Sequence, residues 1–185
     1  SILSTPKRLS SFSSIRRVSM DSSTKLFKRA SSLSEKSNRI FVCINRIERH
    51  KQHDLVIKAY LRAFEKAAVF PDLIIAGVIN ARNANDVAYY EELVALAKNS
   101  NLSQHIDIKL SICDKERTTL MHKALCVLCP SASDNFDVML LEALSMGVPA
   151  LAHKNGGLAE IVEDGKTGFL MDSEVKDWSR KMRIV

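Results

Sequence analysis

Two carboxylates eight positions apart, Asp134 and Glu142, stand in the stretch CPSASDNFDVMLLEALSMGVPALAHKNGG. Between Val138 and Met146 almost every residue except Glu142 is apolar. An unpaired carboxylate on such a helix carries a desolvation cost of roughly several kcal/mol. Two arrangements relieve it: a Lys or Arg from a neighbouring element, or two hydrogen bonds accepted from the cis-diol of a ligand. Asp134 precedes the helix on its loop and is placed to reach a different part of the same ligand. Asp137, directly before the apolar run, is a natural N-cap whose carboxylate satisfies the first free N–H groups.

Other side chains with chemical potential read more plainly. Cys126 and Cys129 in CVLC sit three apart on an expected strand, so their sulfurs point to opposite faces and cannot share a metal. His50 and His53 in HKQH lack a Cys or carboxylate partner at metal spacing and are expected to be solvated at a helix start. His122 is expected on a solvated helix face. Arg46 and Lys51, taken alone, read as surface charges.

The elements that would position these groups follow from hydrophobic pattern. RIFVCIN (Arg39–Asn45), PDLIIAGV (Pro71–Val78), HIDIKLSI, LCVLCP, VPALAH and GFLM are short apolar or β-branched runs, read as strands. Between them HDLVIKAYLRAFEKAA, NDVAYYEELVALAKNS, KERTTLMHKA, VMLLEALSM and the short LAEIV carry helical spacing, and the strand GFLM closes the series. Strands alternating with helices predict βαβ units, an α/β Rossmann-like parallel sheet with helices on both faces. Ligands of such sheets bind beyond the carboxyl ends of the strands. The loop after LCVLC and the helix starting at Val138 lie there, where a phosphorylated ligand is expected.

The chain has 185 residues, 46% of them hydrophobic, enough for one domain core. No apolar run approaches the ~20 residues of a membrane-spanning helix, which predicts a soluble or peripheral protein. Cys43, Cys126 and Cys129 lie in apolar runs and are expected to be reduced and buried, as on a cytosolic face. The net charge of +6 is a property of one segment: nine Lys/Arg against Asp21 and Glu35 give residues 1–39 a charge of +7 and leave −1 for the rest. The absence of a basic stripe after residue 40, and the few aromatics, argue against a nucleic-acid partner. Residues 1–37 are Ser-rich, basic and without periodicity, and read as a flexible segment ahead of a domain at 38–185. RRVS (Arg16–Ser19) and KRAS (Lys28–Ser31) have the form of basophilic kinase sites, or belong to a solvated linker. Because the chain starts with Ser and lacks a signal-peptide pattern, it is expected to be part of a longer one.

SDNFDVMLLEALSMGVPALAHKNGGLAEIVEDGKTGFL resembles the C-terminal domain of retaining GT-B glycosyltransferases. The shared pattern is an acid, seven residues, Glu, a small-residue turn, Gly-Gly-x-x-Glu and Asp-Gly-x-x-Gly-Phe-Leu. FVCINRIERHKQHDLVIKAY resembles their first C-domain strand, with an Arg and a Lys five residues later. INRIER and DVAYYEELVALAKNSNLSQHIDI are most similar to the mannosyltransferase branch that adds α-1,3- and α-1,6-linked mannose to dolichol-linked oligosaccharide. The resemblance spans about residues 38–172.

It implies one half of a GT-B fold that binds a nucleotide-sugar donor, GDP-mannose. Arg46 and Lys51 take the place of the cations on the donor diphosphate, Glu142 that of the ribose ligand and Asp134 that of the acid near the transferred sugar. Asn135, Phe136, Asp137 and Val138 line the donor, and Gly156 and Gly157 form a loop whose backbone comes close to it. Glu160 occupies the last acidic position or a helix surface. The resemblance further implies no metal or cofactor, a dolichol-diphosphate-linked glycan acceptor held by an N-terminal domain, and peripheral association with the cytosolic face of the endoplasmic reticulum membrane.

The chain departs from the family pattern of Glu, Gly and Gly at positions 134, 135 and 137. Asp134 is one methylene shorter, and Asp137 puts an anion where the donor phosphates approach the helix N-terminus. Like charge in a half-buried crevice costs on the order of 1–3 kcal/mol. A degenerate, non-catalytic nucleotide-binding or interaction domain is therefore the alternative expectation.

Overall fold

A computed structural model of the chain describes residues 40–134, 137–154 and 156–185. The readings made for residues 1–37, for Asn135 and for Phe136 lie outside the described residues.

Six parallel strands form one sheet: β1 (Ile40–Ile44), β2 (Asp72–Gly77), β3 (Ile106–Leu110), β4 (Ala124–Cys129), β5 (Ala150–His153) and β6 (Gly168–Met171). Their order is β3-β2-β1-β4-β5-β6. The chain winds outward from β1 in one direction, then returns to lay β4 on the other side. That reversal leaves a crevice beyond the carboxyl ends of β1 and β4, the switch point at which open α/β sheets hold ligands.

The helices are α1 (His53–Phe64), α2 (Ala84–Lys98), α3 (Asp114–Lys123), α4 (Val138–Ser145), α5 (Leu158–Ile161) and α6 (Val175–Met182). One face of the sheet packs on Tyr60 and Phe64 of α1, Tyr89 and Leu93 of α2, and Trp178 and Met182 of α6. The other packs on Leu120 and Met121 of α3, Leu140 and Ala143 of α4, and Leu158 of α5. Alternation along β4 follows the two-residue period: Cys126 and Leu128 enter the first core, Val127 and Cys129 the second. The two cysteines of CVLC therefore do face opposite ways. Burial pushes the Cys43, Cys126 and Cys129 thiols well above their ordinary range, so none is a nucleophile.

Two sequence expectations are corrected. His53 is not solvated: it is fully buried at the start of α1, its ring 6.2 Å from that of Tyr89. Burial holds its pKa down to about 4, so the ring is neutral. And the chain does not end its regular structure at β6. Half of α6 is charged, yet Val175, Trp178 and Met182 share one face, and Trp178 is completely enclosed. Among the described residues no helix is long and apolar enough to cross a membrane.

Candidate functional site

β1 ends at Ile44, and the chain leaves the sheet through Asn45 and Arg46 into a short 3-10 turn, Arg49–Lys51. The turn closes on Gln52, a non-glycine residue in the left-handed region with φ 54°. The turn aims Lys51 back across the switch point toward the loop that follows β4. There its Nζ donates to Asp134 Oδ1 in an ion pair whose side chains are only 7% and 12% exposed. Asp134 Oδ2 is also buried and has no hydrogen-bond partner among the described residues. Ser131 fastens the same two loops, donating from Oγ to the His50 carbonyl at 3.4 Å.

Behind Asp134 stands the glycine turn. Gly156 has φ +75°, and a Cβ there would fall 2.6 Å from the Asp134 carbonyl oxygen. The Gly157 N–H donates to that same oxygen at 3.0 Å. The lack of a side chain at Gly156 thus admits the backbone of the acidic loop, and the turn holds Asp134 from behind.

Asp137 caps α4: its Oδ1 accepts from the N–H groups of Met139 at 2.8 Å and Leu140 at 3.2 Å. The residue is buried, and that burial, with Asp134 nearby adding to it, raises its carboxyl above the usual range. The cap and Lys51 oppose the rise without cancelling it. Two carboxylates, one lysine and a helix N-terminus therefore share the floor of the crevice. Val138, the first residue of α4, is 60% exposed beside them.

Arg46 stands apart from this cluster. Its side chain is 61% exposed, and its Nη1 lies 2.5 Å from Glu48 Oε1. Glu48 also meets His50 Nε2 at 3.3 Å, so the acid ties two side chains of the loop together. Arg46 and Lys51 thus come from the same loop but are held by different acids, one solvated and one enclosed.

Glu142 lies on α4, one turn in. Of the two arrangements open to it, the structure contains the ion pair: Arg117 Nη2 of α3 stands 3.7 Å from Glu142 Oε1. The side chain keeps 23% of its surface exposed, so it is neither sealed in the core nor free in solvent. Glu160 faces solvent on α5. Sequence reasoning missed Arg117, Glu48 and Ser131. Arg117 could have been sought as the counter-charge of Glu142, since α3 and α4 both begin at the carboxyl edge of the sheet. Among the described residues no group of three or more His, Cys, Asp or Glu side chains is arranged to hold a metal ion.

Lys51 brings a cation to the switch point, where Asp134 already pairs with it. Arg46 carries a second, solvated cation on the same loop, and Glu142 offers acceptor oxygens on α4.

Known proteins resemble this chain in sequence and in fold. The family model described as "Glycosyl transferases group 1" matches residues 24–185. A curated relative, the alpha-1,3/1,6-mannosyltransferase ALG2 of Mus musculus, is 30% identical over 151 residues, covering 77% of this chain and 35% of the relative. The chain thus spans about a third of the length of such relatives. Among solved structures, the C-terminal domain of a glycosyl transferase group 1 family protein (LpcC) from Francisella tularensis superposes with TM-score 0.68 at 20% identity, over 86% of this chain and 80% of that one. Anabaena Alr3699/HepE, solved in complex with UDP and glucose, gives TM-score 0.67 at 21% identity, over 86% and 42%. These two likenesses show the fold.

Proposed function

This chain belongs to the group 1 glycosyl transferases, and from that premise we propose that it is the donor-binding part of a retaining mannosyltransferase. The donor is GDP-mannose and the acceptor a dolichol-diphosphate-linked oligosaccharide, held by a preceding domain. The enzyme works at the cytosolic face of the endoplasmic reticulum membrane, to which it attaches peripherally. The mannose rests on relatives such as the mouse protein, named as an alpha-1,3/1,6-mannosyltransferase, and the acceptor on the motif resemblance described above. The nucleotide reading draws support from Anabaena Alr3699/HepE, which was solved with UDP and glucose.

One observation carries the reading: Lys51 is turned into the switch point and enclosed there, where an ordinary surface lysine would extend into water. In the reaction the bond between the sugar and the diphosphate breaks, and the leaving diphosphate gains negative charge. Fixed cations stabilise that charge more in the transition state than in the ground state. Lys51 and Arg46 take this role, Arg46 turning from Glu48 to the phosphates. Glu142 accepts hydrogen bonds from the two ribose hydroxyls, while Asp134 faces the transferred sugar. Calorimetry with GDP tests the assignment. Binding weakened about tenfold or more in both Arg46→Ala and Glu142→Ala supports it, and unaltered binding in either variant removes that residue from the site.

A second reading has its own observation. Asp134 already occupies Lys51, and buried Asp137 already fills the N-terminus of α4. A crevice closed in this way belongs to a non-catalytic domain of the same fold. An absence of GDP binding at millimolar nucleotide favours this reading over the first.

A further inference from the structure

Arg117 sits one turn into α3, with its guanidinium between two carboxylates of different standing. Its Nη2 is 3.5 Å from Asp114 Oδ1 and 3.7 Å from Glu142 Oε1. Asp114 is 93% exposed, and solvent screens that pair to almost nothing. Glu142 is 23% exposed and Arg117 30%, so their attraction is the less screened one. The Arg117 Nε is buried and meets no acceptor among the described residues. The guanidinium thus has its inner edge enclosed without a partner among the described residues, while its Nη2 lies toward Glu142 of α4.

We infer that Arg117 is a positioning residue of the donor site, acting through Glu142. A glutamate on a helix has three rotatable bonds and several ways to turn toward solvent. A half-buried cation beside Oε1 restricts that choice before any ligand arrives, and such preorganisation lowers the cost of binding. It engages one oxygen only, at a distance too long for a hydrogen bond. Oε2 and the remaining lone pairs of Oε1 are left to accept two hydroxyl groups. The inference rests on the reading of Glu142 as the ribose ligand.

The experiment compares GDP with its 2′,3′-dideoxy analogue by calorimetry, on the 185-residue chain and its Glu142→Gln, Arg117→Gln and Arg117→Lys variants. The parent is expected to bind GDP about tenfold tighter than the analogue, the worth of hydrogen bonds to a charged acceptor. Glu142→Gln and Arg117→Gln are expected to erase that preference with little change in affinity for the analogue, whereas Arg117→Lys retains part of it. Arg117→Gln that keeps the full preference while Glu142→Gln loses it overturns the positioning role and leaves the ribose reading intact. If the parent and Glu142→Gln both bind the two nucleotides alike, the ribose reading fails and the role of Arg117 falls with it.

Discussion

Lys51 and Asp134, 83 positions apart in the chain, meet in an almost enclosed ion pair across the switch point between β1 and β4. Each holds a charge that the other makes tolerable, and removing one partner strands the second. Asp134→Ala is therefore expected to destabilise the fold by about 3 kcal/mol, read as a shift in urea midpoint. Asp134→Asn keeps an oxygen for the lysine and removes the negative charge. On the proposed function a diphosphate must share Lys51 with that charge, so Asp134→Asn should bind GDP about tenfold more tightly than the parent. Weaker binding by the variant would place the phosphates elsewhere.

Asp137 combines a favourable hydrogen-bonding role with an unfavourable charge. Its folded pKa is raised above the ordinary 3.8, chiefly by burial. The folded state therefore holds the proton more firmly than the unfolded one. Its contribution is fully present below the unfolded pKa and is lost as pH rises through the folded value. Asparagine caps helices about as well as aspartate and does not titrate. Asp137→Asn should accordingly be more stable than the parent near pH 7, with the difference vanishing toward about pH 4. Asp137→Ala loses the cap, which costs about 1 kcal/mol, partly offset by relief of the buried charge. Urea midpoints of the three proteins across this range check the sign.

His53 has the opposite dependence. With its pKa held down to about 4 against the ordinary 6.5, the folded state resists protonation. The stability it contributes is present above the unfolded value and disappears as pH falls through the folded one. The whole swing is about 3 kcal/mol. His53→Leu, which fills the site without titrating, should flatten the acid limb of the stability curve between about pH 6.5 and 4. An unchanged acid limb would mean that the ring reaches water.

The order of strands and helices up to β6 was legible because both faces of a parallel sheet must be apolar, and Ile40–Ile44 or Ala124–Cys129 are little else. α6 escaped notice because three apolar residues among charges are a weak signal until Trp178 finds its place against α1. In the site, the acid spacing and the cap by Asp137 could be read from local sequence, since a cap involves only neighbours. Which cation meets which acid could not. Lys51 pairs across 83 positions and Arg117 reaches a different helix, and such partners follow from the sheet order. His53 was misjudged for the same reason: a histidine at a helix start is solvated unless another element, here Tyr89 of α2, lies over it.

The glycine turn behind Asp134 can be tested apart from the general cost of left-handed backbone, because the chain supplies a control. Gly156 and Gly165 have nearly the same φ, +75° and +76°. Around Gly165 a Cβ would meet nothing within 4 Å, whereas at Gly156 it would lie 2.6 Å from the Asp134 carbonyl oxygen. Gly165→Ala should then show backbone strain alone, about 1 kcal/mol. Gly156→Ala adds a clash with main chain, which cannot swing away as a flexible side chain could. The acidic loop must move, taking Asp134 away from Lys51 and breaking the hydrogen bond from Gly157. An additional loss of about 1–3 kcal/mol follows. GDP affinity should change in Gly156→Ala and stay at the parent value in Gly165→Ala. Equal destabilisation by both substitutions, with GDP binding untouched, would show that the turn does not set the position of Asp134.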